Sequence, residues 1–68
     1  MTKTFLRIGD VVRATGLPQS TIYEMVSKGT FPKQVRLSPR AVGWVAAEIL
    51  DWQSARIAER DGVVMEAA

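Results

Sequence analysis

The sequence predicts a mostly α domain with a small β-hairpin, a winged helix-turn-helix ordered β-α-α-β-β-α. Three observations carry this. Two short runs of helical periodicity, over 8–15 and 19–28, flank Gly16-Leu17-Pro18. Two strand-like segments, 34–37 and 41–44, flank the turn residues Ser38-Pro39-Arg40. A third helical stripe fills 45–60.

Phe5-Leu6-Arg7 is a short apolar start, too brief to classify alone, and takes the first strand position in this order. Ile8, Val11, Val12 and Thr15 stand at helical spacing, with Gly9-Asp10 as the start and Gly16 just past the end. Pro18 sits at or just before the first position of the second helix. Ile22, Tyr23, Met25 and Val26 form that helix's apolar side, and Lys28-Gly29 closes it. Ser20, Thr21, Glu24, Ser27 and Lys28 remain on or near its outer face. Pro32 pushes Thr30-Phe31 away from helix into an extended linker. Val45, Ala46, Ile49, Leu50, Trp52, Gln53 and Ile57 make a broad stripe on the third helix, with Arg56 snorkelling inside it. Asp61-Gly62 stops this helix.

A chain of 68 residues allows one small domain. We expect it to span residues 1–60, with 61–68 a flexible C-terminal tail. Met1 reads as a native start. The candidate core takes Phe5, Leu6, Ile8, Val11, Leu17, Ile22, Val26, Phe31, Val35, Leu37, Val42, Trp44, Ile49, Leu50, Trp52 and Ile57.

The chain has no cysteine and no histidine. Disulfides, thiolate or imidazole zinc ligands, and Cys–His or Ser–His nucleophile pairs are therefore excluded. We expect no enzyme, no cofactor and no metal. No apolar run approaches the ~20 residues of a membrane span, and no secretory signal is visible. The expected location is the cytoplasm.

Nine Lys+Arg against seven Asp+Glu give +2, a figure that hides a division. Residues 1–43 hold seven basic and two acidic side chains; residues 44–68 hold two basic and five acidic. A basic front and an acidic back suit a protein that presents one face to a polyanion, although lopsided charge also serves solubility.

The two short helices around Gly16 read as helix-turn-helix, the motif that sets its second helix in a DNA major groove. Val12 must be modest in size where the helices cross. Ile22, Leu17 and Met25 lock the second helix onto the first.

At this point the sequence resembles the AlpA-like family of phage and prophage regulators, within the wider excisionase and MerR-like winged-helix group. The residues that carry the resemblance are Phe5-Leu6-Arg7-Ile8, the run from Thr15 to Tyr23, the run from Gly29 to Trp44, and Glu48-Ile49 with Trp52. They span roughly residues 5–60. The resemblance implies a DNA-binding transcriptional regulator and, in some relatives, an excisionase-type role beside an integrase. Pro18 departs from the family pattern, which often has Ser there. The second helix thus loses a side-chain N-cap, for which Gln19 or Ser20 must compensate.

The residues support the same reading independently. A helix N-terminus offers free N–H groups to a phosphate. Ser20 and Thr21 can donate to phosphate or base edges, and Gln19 can pair bidentately with adenine. Tyr23 can reach phosphate through its hydroxyl. Lys28 ends the same helix, Lys33 extends the basic strip, and Arg36 and Arg40 stand near the hairpin tip, where a wing meets a groove or the backbone.

Each residue also has a structural alternative. Tyr23 packs in the core, Ser20 and Thr21 cap the helix, and Gln19 is a surface residue. Lys28 is a helix-end charge, and Arg36 and Arg40 are solvated. Glu24 is expected to pair with Lys28, and Arg7 and Arg13 to lie at the surface or pair with Asp10. Trp44 and Trp52 are assigned to packing; Glu48, Asp51 and Glu59 form a solvated face.

The expectation is a regulator of a phage or prophage-like element that binds double-stranded DNA, with helix 19–28 in the major groove and the hairpin on its flank. One module offers few contacts, so self-association or cooperative binding on repeated sites is expected to supply the rest. Two rivals are kept. One is an excisionase-type factor that bends attachment-site DNA with an integrase. The other is a protein–protein adaptor that docks through the acidic last helix or the tail.

Overall fold

A computed structural model describes residues 4–62. The chain runs β1 (Phe5–Leu6), α1 (Ile8–Thr15), α2 (Gln19–Lys28), β2 (Val35–Ser38), β3 (Ala41–Val45) and α3 (Ala46–Asp61). This is the order expected from the sequence: α1 and α2 keep the expected bounds, and the strands and α3 differ from theirs by at most one residue at each end. The expected tail 63–68 lies outside the described residues.

The α1–α2 turn is built locally. Gly16 caps α1 at φ 76°, a left-handed conformation that a Cβ would strain. The Thr15 hydroxyl donates to the Val11 carbonyl (2.8 Å) and accepts the Leu17 N–H (3.2 Å), which fixes the chain's exit. Val12, Leu17 and Met25 pack against the core where the helices meet.

The three strands form an antiparallel sheet ordered β1-β3-β2. Phe5 pairs with Val45 and Leu6 with Trp44; Val35 pairs with Gly43 and Arg36 with Val42. A register shift falls between Arg36 and Ser38. The Thr4 carbonyl accepts the Ala46 N–H (2.8 Å), so β1 also anchors the start of α3.

Five residues form the buried core, at least one from each packed layer: Val11, Ile22, Phe31, Trp44 and Ile49. Their polar edges are satisfied. Trp44 Nε1 donates to the Pro32 carbonyl (2.9 Å), and Trp52 Nε1 donates to the Thr30 carbonyl (3.0 Å). The two indoles thus hold the α2–β2 linker by its backbone, while Phe31 meets Trp52 edge-on at 4.8 Å. From α3, Gln53 Nε2 reaches the Ala14 carbonyl at the end of α1 (2.8 Å). The assignment of both tryptophans to packing holds.

The expected core was too large. Phe5, Val35, Leu37, Leu50 and Ile57 are exposed, at 43%, 38%, 39%, 63% and 52%. Two geometric reasons explain this. The pairing places Phe5, Val35, Gly43 and Val45 on one face of the sheet and Leu6, Val42 and Trp44 on the other. Trp44 is fully buried, so the second face covers the core and the first stays open. Leu37 folds across Gly43 on that open face, where a Cβ would stand 2.8 Å from Leu37 Cδ1. On α3, Leu50 and Ile57 lie about 100° and 80° around the helix from the buried Ile49.

Candidate nucleic-acid interface

The exposed side of α2 starts at an open helix end. Pro18 occupies the N-cap with no side-chain cap, and the first helical bond runs from the Ile22 N–H to the Pro18 carbonyl (3.1 Å). The N–H groups of Gln19, Ser20 and Thr21 have no acceptor among the described residues. The compensation expected from Gln19 or Ser20 is not made: neither side chain folds back on the backbone. Four unsatisfied N–H groups per helix start is the usual number, and each carries part of the helix's positive end. Gln19 and Ser20 are both exposed and Thr21 is half-buried.

The remaining α2 candidates divide. Thr21 is half-buried, on the flank of the outer face. Tyr23 is also half-buried, its ring 5.9 Å from that of Trp44. This contact joins α2 to the central strand. Lys28 Nζ pairs with Glu24 Oε2 at 3.1 Å, the pairing expected from their i, i+4 spacing. Ser27 is an exposed position the candidate set missed. It lies seven residues after Ser20, on the same line of the helix, and that spacing was the available signal.

On the hairpin, Arg36 is partly committed. Its Nη1 donates to the Pro39 carbonyl (3.3 Å) and braces the tip. The Ser38 hydroxyl accepts the Arg40 N–H (3.3 Å), which shapes the same turn. The side chains of Arg40 and Lys33 are exposed and make no ion pair among the described residues.

Residues 4–57 match the family model described as prophage CP4-57 regulatory protein (AlpA). The chain belongs to the AlpA family of prophage regulators. Two relatives place it further. It is 46% identical over 56 residues to an uncharacterized protein, ORF88, of Enterobacteria phage P4, an overlap of 82% of this chain and 64% of that protein. It is 39% identical over 57 residues to the DNA-binding transcriptional activator AlpA of Escherichia coli K12, covering 75% of this chain and 81% of that one. All eight candidate site residues of this AlpA-family chain lie inside the matched span. Among the described residues, no helix is long and apolar enough to cross a membrane, and no acidic cluster has the size to hold a metal.

The charges elsewhere are mostly local. The Asp10 carboxylate accepts the Arg7 N–H (3.2 Å) and pairs with Arg13. The backbone hydrogen bond from Arg7, then the Arg13 guanidinium, hold its pKa below the ordinary 3.8. Arg13 therefore serves the start of α1, as the structural alternative had it. Arg56 stacks 5.4 Å from the Trp52 ring and pairs with Glu59.

Proposed function

We propose that this chain is a sequence-specific DNA-binding transcriptional regulator of a phage or prophage-like element. In this reading α2 enters the major groove by its N-terminus, and the β2–β3 hairpin lies on the flank as a wing. The observation that carries it is the uncapped start of α2, whose three free N–H groups stand beside the exposed Gln19 and Ser20. Such an end binds a phosphate oxygen and sets the helix's register on the duplex. The E. coli relative's description as a DNA-binding transcriptional activator supports the same reading.

The roles then follow from chemistry. Gln19 reads a base edge, with adenine its best bidentate partner. Ser20 and Thr21 donate to phosphate or base, and the Tyr23 hydroxyl reaches the backbone. Arg40, Lys33 and Arg36 neutralise phosphates beside the groove; Lys28, at the far end of α2, offsets the Glu24 carboxylate, so that pair adds no net charge. The Glu24 carboxylate, already neutralised by Lys28, does not oppose the approach.

Alanine variants read by fluorescence anisotropy on duplex from the protein's own locus test this assignment. Gln19→Ala is expected to cost about 1–3 kcal/mol on the preferred sequence and to relax discrimination at one base pair. Lys33→Ala and Arg40→Ala are expected to weaken all duplexes alike, each lowering the salt slope by about one. Affinity unchanged in all three variants would sink the proposed interface.

A further inference from the structure

Lys33 and the β2–β3 hairpin both follow α2 through residues 29–34, which form neither helix nor strand. A loose segment here would leave their distance from α2 open. Instead its backbone is held at several points. The Thr30 N–H donates to the Met25 carbonyl in the last turn of α2 (2.9 Å). Trp52 Nε1, from α3, donates to the Thr30 carbonyl (3.0 Å), and Trp44 Nε1, from β3, donates to the Pro32 carbonyl (2.9 Å). A peptide unit is planar, so these two bonds orient two planes, Thr30–Phe31 and Pro32–Lys33. Between them Phe31 is buried against Trp52, and the Pro32 ring locks its own φ. The side chain of Lys33 is exposed just beyond the second plane.

The hairpin depends on the same residues. All of β2 is exposed. Trp44 is the one large side chain of the hairpin that is fully buried. Its ring also lies 5.9 Å from that of Tyr23 on α2. Trp44 thus touches α2, anchors the hairpin and orients the peptide that leads into Lys33. Trp52 holds the same linker from the α3 side.

We propose that Trp44 and Trp52 are positioning residues for DNA binding: their indole N–H groups hold the linker so that Lys33 and the hairpin meet the duplex in fixed register with α2. This rests on the DNA-binding reading above and adds residues that touch no DNA. A linker already ordered in the free protein costs nothing to order in the complex, which is where the two bonds act on affinity. The loss on removing one is therefore bounded by the net worth of a hydrogen bond, about 2- to 10-fold in affinity.

The test is a double-mutant cycle, read by fluorescence anisotropy on duplex from the protein's own locus, well below the melting temperature. Trp44→Phe removes the N–H nearest Lys33 but also opens space in a fully buried site. Trp52→Phe keeps a ring beside Phe31 in a half-buried site and decides the matter where the first variant does not fold. Circular dichroism establishes that each variant is folded. Trp52→Phe is expected to weaken binding about 2- to 10-fold. In that background the fold loss from Lys33→Ala is expected to shrink by about threefold or more, beyond the roughly twofold scatter of independent sites. The fold loss from Gln19→Ala is expected to stay the same in both backgrounds, since the start of α2 does not depend on the linker. A purely structural role would lower the melting temperature and leave the Lys33→Ala loss unchanged. Additive losses in a wild type that binds its locus would overturn the positioning role alone. A wild type without selective binding, or one in which Lys33→Ala costs nothing, would overturn the DNA reading at Lys33 and the positioning role with it.

Discussion

At the scale of single residues, Asp10 makes the clearest pH statement. Its folded pKa is depressed by the Arg7 amide and by Arg13. A depressed carboxylate contributes stability above its unfolded pKa, and that contribution is lost as pH falls through the folded value. Wild type is therefore expected to melt above Asp10→Asn at neutral pH. The gap closes as pH falls below 3.8, the ordinary value. Melting curves from pH 7 to pH 2 check it. Arg36 and Arg40 offer a second contrast. Arg36→Ala removes the brace on the Pro39 carbonyl and is expected to cost about 0.5–1.5 kcal/mol of stability. Arg40→Ala removes no side-chain bond and should leave stability within about 0.5 kcal/mol. Chemical denaturation separates the two. The sequence placed both arginines near the tip, but not the brace, because a carbonyl three residues away carries no side-chain signature.

At the scale of elements, the order of strands and helices was legible because local chemistry marks each end. Gly16, Gly29 and Gly62 each follow a helix in the left-handed conformation. Pro32 and Pro39 interrupt helix where linker and turn occur. What the sequence did not show is which faces are covered. Val35 and Leu37 alternate in the same way whether their side of the sheet is buried or open. Leu50 and Ile57 widened the α3 stripe past the face that Ile49 buries. A stability contrast checks this correction. Ile49→Ala is expected to cost about 2–5 kcal/mol, and Leu50→Ala about 0.5 kcal/mol or less. A chain of this length has about 3–10 kcal/mol in total, so the first variant loses much of its fold and the second little.

The open start of α2 belongs to the same scale. Pro18 pre-sets the backbone at φ −63° but offers no side-chain acceptor. Pro18→Ser supplies one, a gain of about 1 kcal/mol. It also gives up proline's restriction of the unfolded chain, about 0.4–1 kcal/mol. The melting temperature is expected to stay within about 4 °C. DNA affinity is expected to fall, because the serine hydroxyl takes an N–H that the phosphate needs. Undiminished affinity in that variant would remove the helix end from the interface.

At the scale of the whole molecule, the division of charge legible in the sequence acquires a layout. Local pairs neutralise α1 and the ends of α2 and α3, and leave bases on the strands and acids at the start of α3. In the proposed binding mode a polyanion meets the first group and is repelled by the second, which would set the orientation of the domain. The candidate site residues were chosen for chemistry and position, and the structure sorts them by availability. Gln19, Ser20, Lys33 and Arg40 are exposed and uncommitted, Thr21 and Tyr23 are half-buried, and Lys28 and Arg36 already hold partners.

The central claim is selective DNA binding, and competition binding tests it most directly. Labelled duplex from the protein's own locus is bound at three salt concentrations and competed with unlabelled duplex of unrelated sequence. The expected result is a steep negative dependence on salt together with a preference for the locus of about 10³-fold or more. Weak binding, equal on both duplexes at every salt concentration, would contradict it.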